Sequence, residues 1–151
     1  MIFVTVGTTD FDPLVQAIDD LAPSLREPVI AQTGRGSYRP RHLESFEFSE
    51  TLEPHLRAAR VVVSHGGLAT LIEVLRIGKP LVAVSNPDRY DRHQDDILAA
   101  FSSRGYLTWC RNLSQLADAL HEAGERRYET YVPPVCTIAT EIRRYFGLAP
   151  E

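Results

Sequence analysis

Short apolar runs alternate with amphipathic helical patterns from one end of the chain to the other, and this alternation is the strongest constraint on its fold. A run that is apolar at every position, such as "VVV" at 61–63, is typical of a central strand in a parallel sheet with both faces covered. The alternation predicts an α/β fold, a doubly wound, Rossmann-like parallel sheet. The predicted strands span 2–6, 28–32, 45–48, 61–63, 81–84 and 105–109.

Local signals place the helix ends. Asp12 is predicted to be an N-cap followed by Pro13 at the first helical position, opening a helix to Leu21. Asn112 and Gln115 form a candidate capping box. The other predicted helices are a short one capped by Thr51, 68–77 ended by Gly78, 93–103, 113–123, and a final helix with the apolar stripe Ile138, Ile142, Tyr145 and Phe146.

Composition limits the class of protein. With 151 residues, of which 44% are hydrophobic, residues 1–151 are expected to form one domain around a single core. No apolar run approaches the roughly 20 residues of a membrane span, and "MIFVTVG" lacks the basic start of a signal peptide. A cytoplasmic location is therefore predicted. Cys110 and Cys136 have no CxxC spacing and are expected to be core thiols.

A net charge of -4 argues against a general nucleic-acid binder, which would carry a basic excess. Cationic side chains nevertheless cluster locally in "GRGSYRPRH" at 34–42 and again near the C-terminus. Both clusters fit a solvated face, and both also fit contact with an anionic ligand, a membrane surface or a partner.

Three glycine-bearing loops follow predicted strands: Gly7 with Thr8, Gly34 with Gly36, and Gly66 with Gly67. The carboxyl ends of parallel strands share one edge, and doubly wound sheets bind ligands at that edge, where the strand order reverses. The sequence therefore predicts a ligand site built from these loops.

The Gly66-Gly67 pair allows close approach of a ligand to the backbone, and the helix start after it favours a negative charge. Thr70 and Glu73 lie three residues apart on one helical face, so a phosphate and a ribose diol would suit them. The alternative is a simple tight turn with a Glu that complements the helix dipole.

His93, Gln94 and Asp95 stand at the start of the helix that follows the polar loop "SNPDRYDR". Gln94 and Asp95 are candidates for binding sugar hydroxyls. The alternative is that Asp91 or Arg92 caps the helix and Gln94 is solvated. His65 is a candidate general base or a candidate hydrogen-bond donor to a phosphate, although a structural role is commoner for such a residue. The histidines do not cluster at metal-ligand spacing, so no bound metal is expected.

The segments "SHGGLATLIEVLRIGKPLVAVSN", "DRHQDDIL" and "GYL" resemble the C-terminal, donor-binding half of GT-B glycosyltransferases of family 28. The opening "IFVTVGTTDFDPLV" and "AQTGRGS" are similar to its single-domain members. These are the cytosolic catalytic subunit of the eukaryotic two-part N-acetylglucosaminyltransferase and bacterial PssE-type exopolysaccharide subunits. The resemblance runs from Met1 to about Leu107 and is most specific from Ser64 to Gln94.

The resemblance implies a UDP-sugar donor and assigns it binding residues. Glu73 would bind the ribose, and the loop before its helix would contact the diphosphate. The implied donor-site residues are Glu73 for the ribose; Gly66, Gly67 and Thr70 for the diphosphate; Gln94, with His93 and Asp95, for the sugar; and Gly7 and Thr8 beside the interdomain cleft.

The resemblance also implies that the transferase consists of two chains. The acceptor-binding half of a GT-B enzyme is missing, so the catalytic base is expected on a membrane-associated partner that holds a lipid-linked sugar. The chain would be the donor-binding subunit of an inverting, metal-independent transferase in exopolysaccharide or capsule synthesis, recruited to the inner face of the membrane. Its last helix would serve for docking or for core packing. A non-catalytic enhancer subunit and a UDP-sugar 2-epimerase-like protein are the alternatives.

Overall fold

The computed structural model describes residues 1–87, 93–135 and 137–146. Its centre is a fully parallel sheet with strand order β3-β2-β1-β4-β5-β6, and this confirms the predicted α/β, doubly wound class. The strands are β1 (Ile2–Thr5), β2 (Val29–Gln32), β3 (Glu44–Phe46), β4 (Val61–His65), β5 (Leu81–Val84) and β6 (Thr108–Cys110).

Helices connect all successive strands except β2 and β3, and they cover both faces of the sheet. They are α1 (Asp12–Leu21), α2 (Glu53–Ala58), α3 (Leu68–Ile77), α4 (His93–Ser103), α5 (Leu116–Glu125) and α6 (Ile138–Tyr145), with short 3₁₀ turns at Ala22–Ser24 and Leu113–Gln115. Gly78 ends α3 in the left-handed conformation, as predicted.

Alternation along the strands divides the core in two. Val4 and Val63 are fully buried on the face covered by α1 and α5. Phe3 and Val62 are fully buried on the opposite face, beneath α2, α3 and α4. Because both faces are covered, the central strands are apolar at nearly every position. Cys110 lies in the first of these cores, where burial raises the pKa of its thiol, and Cys136 lies outside the described residues.

The last strand begins later than the predicted 105–109. Gly105 has a φ of 75°, and its N–H and that of Tyr106 donate to the carbonyls of Ser102 and Phe101. These bonds close the C-terminus of α4, so the chain enters the sheet only at Thr108. Gly105 and Tyr106 end a helix, and their predicted place in the strand was wrong.

Two predicted caps also differ from the structure. Phe11, not Asp12, is the N-cap of α1, and Asp12 is its first residue. The Asn112 side chain does accept the N–H of Ser114, but it caps the 3₁₀ turn before α5. Gln115 itself is the N-cap of α5 and makes no side-chain cap, so the predicted capping box is only half formed.

Residues 33–43, called the strap here, run from the carboxyl end of β2 across α1 to β3. The carboxylate of Asp19 is fully buried and accepts hydrogen bonds from the Tyr38 hydroxyl (2.8 Å) and the N–H groups of Arg41 (2.9 Å) and His42 (2.8 Å). Burial acts to raise the pKa of Asp19, but the Arg41 and His42 N–H groups and the Tyr38 hydroxyl outweigh it and hold that pKa below its ordinary value. A buried charge therefore holds the strap.

The apolar stripe of α6 is exposed. Ile138, Ile142, Tyr145 and Phe146 keep between 50% and 84% of their surface in solvent, so the stripe is not part of the core. In the part of the chain that the structure describes, no helix is long and apolar enough to span a membrane.

Replacing Asp19 with Asn is expected to destabilise the protein by about 2 kcal/mol at pH 7, because the strap loses charge-assisted hydrogen bonds. Asp19 has a lowered pKa in the folded state, so its contribution is complete above the ordinary value of 3.8 and declines as pH falls through the folded pKa. The difference between wild type and D19N in urea unfolding should therefore shrink below pH 3.8. The exposed neighbour change Asp20→Asn should alter stability by less than about 0.5 kcal/mol. Equal losses in both variants would contradict the role given to Asp19.

Candidate functional site

The crevice between β1 and β4 lies at the centre of the sheet. β1 pairs with β2 on one side and with β4 on the other, so the chain winds outwards in both directions from this point. The loops that follow the two strands diverge here and leave an opening at the carboxyl edge. The loop after β1 begins at Gly7, and β4 ends at His65, just before Gly66 and Gly67.

The imidazole of His65 packs between the two loops. A Cβ added at Gly67 would lie 2.4 Å from His65 Nε2, and one added at Gly7 would lie 3.2 Å from His65 Cε1. The ring is buried, with 9% of its surface exposed. His65 therefore spaces the loops on either side of the crevice, and the two glycines make room for it.

The glycine pair is required for space and not for an unusual backbone conformation. Gly67 has an ordinary extended φ of -73°, and among the described residues positive φ values occur only at Gly7, Gly34, Gly78 and Gly105. A Cβ on Gly66 would lie 3.0 Å from the Cβ of Gln94. Packing therefore explains the glycine pair: a Cβ on Gly67 would overlap His65, and one on Gly66 would crowd Gln94.

Asn86 connects the site to its surroundings, and the sequence analysis missed it. Its N–H donates to Gln94 Oε1 (2.9 Å), and its Nδ2 donates to the carbonyl of Asp10 (3.2 Å) in the loop after β1. Asn86 is buried, with 8% exposed. A polar residue two positions past a buried strand was a usable signal, but nothing in the sequence pairs it with Gln94.

The N-terminus of α3 carries neither a side-chain cap nor an acidic residue in its first turn. By contrast, α1, α2, α4 and α5 each have an Asp or Glu in the first turn. The first N–H groups of a helix have no intrahelical partner and carry partial positive charge. The start of α3 is therefore suited to an anion, and it stands at the β1–β4 crevice.

Thr70 and Glu73 follow on the same helix. Thr70 is half-buried and Glu73 is exposed. Glu73 borders a shallow depression of about 280 Å³. That depression is lined by Glu53, Ala69, Ile72, Glu73, Arg76 and Ile77. Glu73 is six residues from Gly67, which corresponds to about 9 Å along the helix axis. The structure places Glu73 in this depression, together with Glu53 of α2, and not within the cluster of glycine loops.

Hydrogen bonds hold the first glycine loop. Thr5 Oγ1 donates to Gln32 Oε1 (2.6 Å) and accepts the N–H of Gly7 (3.1 Å). Thr9 Oγ1 donates to the carbonyl of Val6 (2.8 Å). Thr8 projects from this fixed turn and is exposed. The loop is therefore anchored to β1 and β2 while Thr8 stays accessible.

The remaining sequence candidates lie at the start of α4. Gln94 contacts Gly66 and Asn86 as described, and Asp95 is half-buried in the first turn. Residues 88–92 and the side chain of His93 lie outside the described part of the chain. Within the described residues, no group of three or more His, Cys, Asp or Glu side chains could hold a metal ion.

The topology and this edge define a class of domain. The protein superposes on the glycosyltransferase of kitacinnamycin with a TM-score of 0.66 at 20% identity, covering 83% of this chain and 35% of that one. It superposes on the NMR structure of ALG13 with a TM-score of 0.59 at 21% identity, covering 95% and 93%. These likenesses concern the fold, which is that of the C-terminal half of a GT-B glycosyltransferase.

The sequence identifies the family. Residues 1–131 match the glycosyltransferase family 28 C-terminal domain, and the chain belongs to this family. It is 32% identical over 124 residues to UDP-N-acetylglucosamine transferase subunit ALG13 of Homo sapiens, a match that covers 72% of this chain and 11% of the human protein. The chain thus spans about a tenth of the length of that relative.

Replacing Gly67 with Ala is expected to displace His65 and to lower stability by about 1–3 kcal/mol, because the new Cβ would overlap the buried ring. Thermal unfolding and the NMR signals of the His65 imidazole would measure both effects. The adjacent change Leu68→Ala, at a side chain 45% exposed, is the matched control and should leave the ring signals in place. An unchanged His65 signal in G67A would contradict the packing described here.

Proposed function

We propose that this chain is the donor-binding subunit of a two-component glycosyltransferase that takes a sugar from a UDP-sugar. One observation carries the proposal: the uncapped, acid-free start of α3, flanked by Gly66 and Gly67, stands at the crevice of a family 28 domain. UDP-N-acetylglucosamine is the first donor to test, because the human relative is named as a transferase subunit for that sugar nucleotide.

The donor would lie along α3. Its diphosphate would accept hydrogen bonds from the N–H groups that follow Gly67, and its ribose hydroxyls would donate to the carboxylate of Glu73. The distance of about 9 Å between these points along the helix matches an extended nucleoside diphosphate more closely than a single phosphate. Thr70 lies between them and offers a hydroxyl to the phosphates.

The transferred sugar would face Gln94, with His93 and Asp95 beside it as further donor-sugar contacts. Gln94 uses its Oε1 for the N–H of Asn86, while its Nε2 makes no hydrogen bond to any described residue and can donate to a sugar hydroxyl. Negative charge develops on the leaving diphosphate, so fixed N–H groups at α3 would stabilise the transition state without a metal ion. Inversion at the anomeric carbon stays a prediction.

We assign the acceptor site and the catalytic base to a partner chain, because the human relative is named as a subunit of its transferase. The partner would be membrane-associated and would hold a lipid-linked sugar acceptor. The chain would then work on the cytoplasmic side of the membrane. A role in exopolysaccharide or capsule synthesis stays a prediction.

The exposed stripe on α6 is the docking surface we propose for this partner. Ile138, Ile142 and Phe146 expose at least half of their surface, and Val132 and Val135, which precede the helix, expose more than 70%. Large apolar side chains gathered in one exposed place are typical of an interaction site. Their exposure supports docking over core packing, the two roles left open by the sequence.

Replacing Glu73 with Ala is expected to weaken UDP binding by about tenfold or more, because the ribose would lose hydrogen bonds to a carboxylate. Isothermal titration of the full chain with UDP measures the effect. Glu125→Ala, an exposed carboxylate at the end of α5, is the control and should bind UDP like the wild type.

Two results would count against the donor site. If E73A bound UDP as tightly as the wild type, the ribose assignment would fail. If the folded wild type bound no UDP but still formed a complex that raised the activity of another transferase, the enhancer role would replace the catalytic one.

Replacing Ile142 with Asp is expected to abolish transfer that depends on the partner while leaving the affinity for UDP unchanged, because a charge on the stripe opposes apolar docking. The assay adds the purified chain to membranes of the source cells depleted of it and follows transfer from radiolabelled UDP-N-acetylglucosamine. Thr137→Asp introduces the same charge at the N-cap of α6, outside the stripe, and should retain activity. Full activity of I142D would rule out this surface.

A further inference from the structure

We propose that Asn86 is a positioning residue, which turns the side-chain amide of Gln94 so that its NH2 group, and not its carbonyl oxygen, faces the transferred sugar. The site would then select a sugar that offers an acceptor oxygen at this point, such as a hydroxyl or an acetamido carbonyl. The inference rests on the donor-binding function proposed above, and it adds a residue outside the donor-site residues that the family resemblance implies.

The half-buried side chain of Gln94 lies against the glycine pair. A Cβ on Gly66 would lie 3.0 Å from Gln94 Cβ and 3.2 Å from both its Cγ and its Oε1. Gly66 and Gly67 lead directly into α3, where the donor diphosphate would bind. The sugar of a nucleotide sugar is bonded to the outer phosphate, so a sugar held in this way would lie close to Gln94.

One hydrogen bond determines which end of the Gln94 amide stays available. The backbone N–H of Asn86 can only donate, so the Gln94 atom that it meets at 2.9 Å must be the carbonyl oxygen Oε1. A reversed amide would place two donors against each other. The two ends of a planar amide point in different directions, and Gln94 Nε2 makes no hydrogen bond with any residue in the described ranges. Gln94 therefore offers a donor to a ligand, and its acceptor is already used.

The side chain of Asn86 fixes the place of that N–H. Its Nδ2 donates to the carbonyl of Asp10 (3.2 Å), which lies 76 residues earlier in the chain. A carbonyl can only accept, so the orientation of the Asn86 amide is determined in the same way. Asn86 is buried, with 8% of its surface exposed, and water therefore competes little for this bond. The segment after β5 is held where its N–H reaches Gln94.

Asn86 thus connects three loops at the carboxyl edge of the sheet. It follows β5, its side chain holds the loop after β1, and its N–H holds Gln94 against the loop after β4. The bond to Asp10 alone would join the loops after β1 and β5. The second bond ends on a side chain whose other end stays available, which is the arrangement of a residue that supports a ligand contact.

The test compares the affinities of the full chain for UDP and for UDP-N-acetylglucosamine by isothermal titration. Asn86→Ala removes the bond to Asp10 and keeps the backbone N–H. The dissociation constant of UDP-N-acetylglucosamine should rise by about fivefold, whereas that of UDP, which lacks the sugar, should change by less than twofold. Asn86→Asp has the same shape but sets a carboxylate against the Asp10 carbonyl, so its selective loss should be at least as large.

Side-chain amide NMR measures the positioning itself. The NH2 signals of Gln94 are identified by their loss in Gln94→Glu. In the ligand-free chain, Asn86→Ala should move these signals towards those of a solvated glutamine, because the amide is no longer held. In the wild type, UDP-N-acetylglucosamine should shift them further than UDP does, because only the sugar meets the NH2 group.

Asn112→Ala is the matched control, because Asn112 follows the neighbouring strand β6 and its side chain accepts only the nearby N–H of Ser114 (3.0 Å) among the described residues. It should leave both affinities and the Gln94 signals unchanged. The proposal is overturned if N86A weakens the two ligands equally, if it weakens neither, or if N112A gives the same selective loss. Failure of the donor function would look different: the wild type would bind neither ligand, while the Gln94 signals of the ligand-free chain would still show whether Asn86 holds the amide.

Discussion

The parallel pairing of β1 with β4 is the constraint on which the rest of the structure depends. Because the chain winds away from this pair in both directions, the loops after β1 and β4 separate and leave the crevice. Both faces of the sheet are covered, so the interior of the strands is apolar and polar chemistry is confined to the edge. The fold therefore fixes where a ligand can bind before any side chain of the site is considered.

Close packing then shapes that edge. His65 separates two glycine loops, and Gln94 packs on Gly66 while its carbonyl oxygen is held by Asn86. These contacts use glycines for space, and they leave the start of α3 without a side-chain cap. One arrangement thus explains both the glycine pair and the accessible helix start, so the packing and ligand-binding interpretations of this turn are compatible.

The acidic side chains of α1 hold the strap in place. Asp19 and Asp12 hold the strap through their hydrogen bonds, and the exposed Arg35 side chain has no partner among the described residues. On the β4 side of the crevice, the start of α3 offers N–H groups that are suited to an anion. A protein with an acidic net charge can bind anionic ligands in this way, because only the local field at the site matters at short range.

The sequence by itself determined the elements and their class. Periodic apolar patterns placed α3 and β5 at their observed bounds, and the motif around Gly66 gave the family, because these signals depend on residues near one another in the chain. Predictions were wrong where a contact with a residue distant in the chain replaced the interaction that the local sequence favours. Asp12 had the identity of an N-cap, but its carboxylate is bound by Ser37, 25 residues away.

The features of the site also divide into those that the sequence predicted and those that only the structure shows. Sequence placed the glycine loops on one edge, since parallel strands must end together. It could not show that His65 requires the glycines, that Asn86 holds Gln94, or that Arg39 pairs with Glu47. Those are contacts between residues distant in the chain, and only the tertiary structure decides them, because it alone fixes which side chains compete for the same space and the same hydrogen bonds.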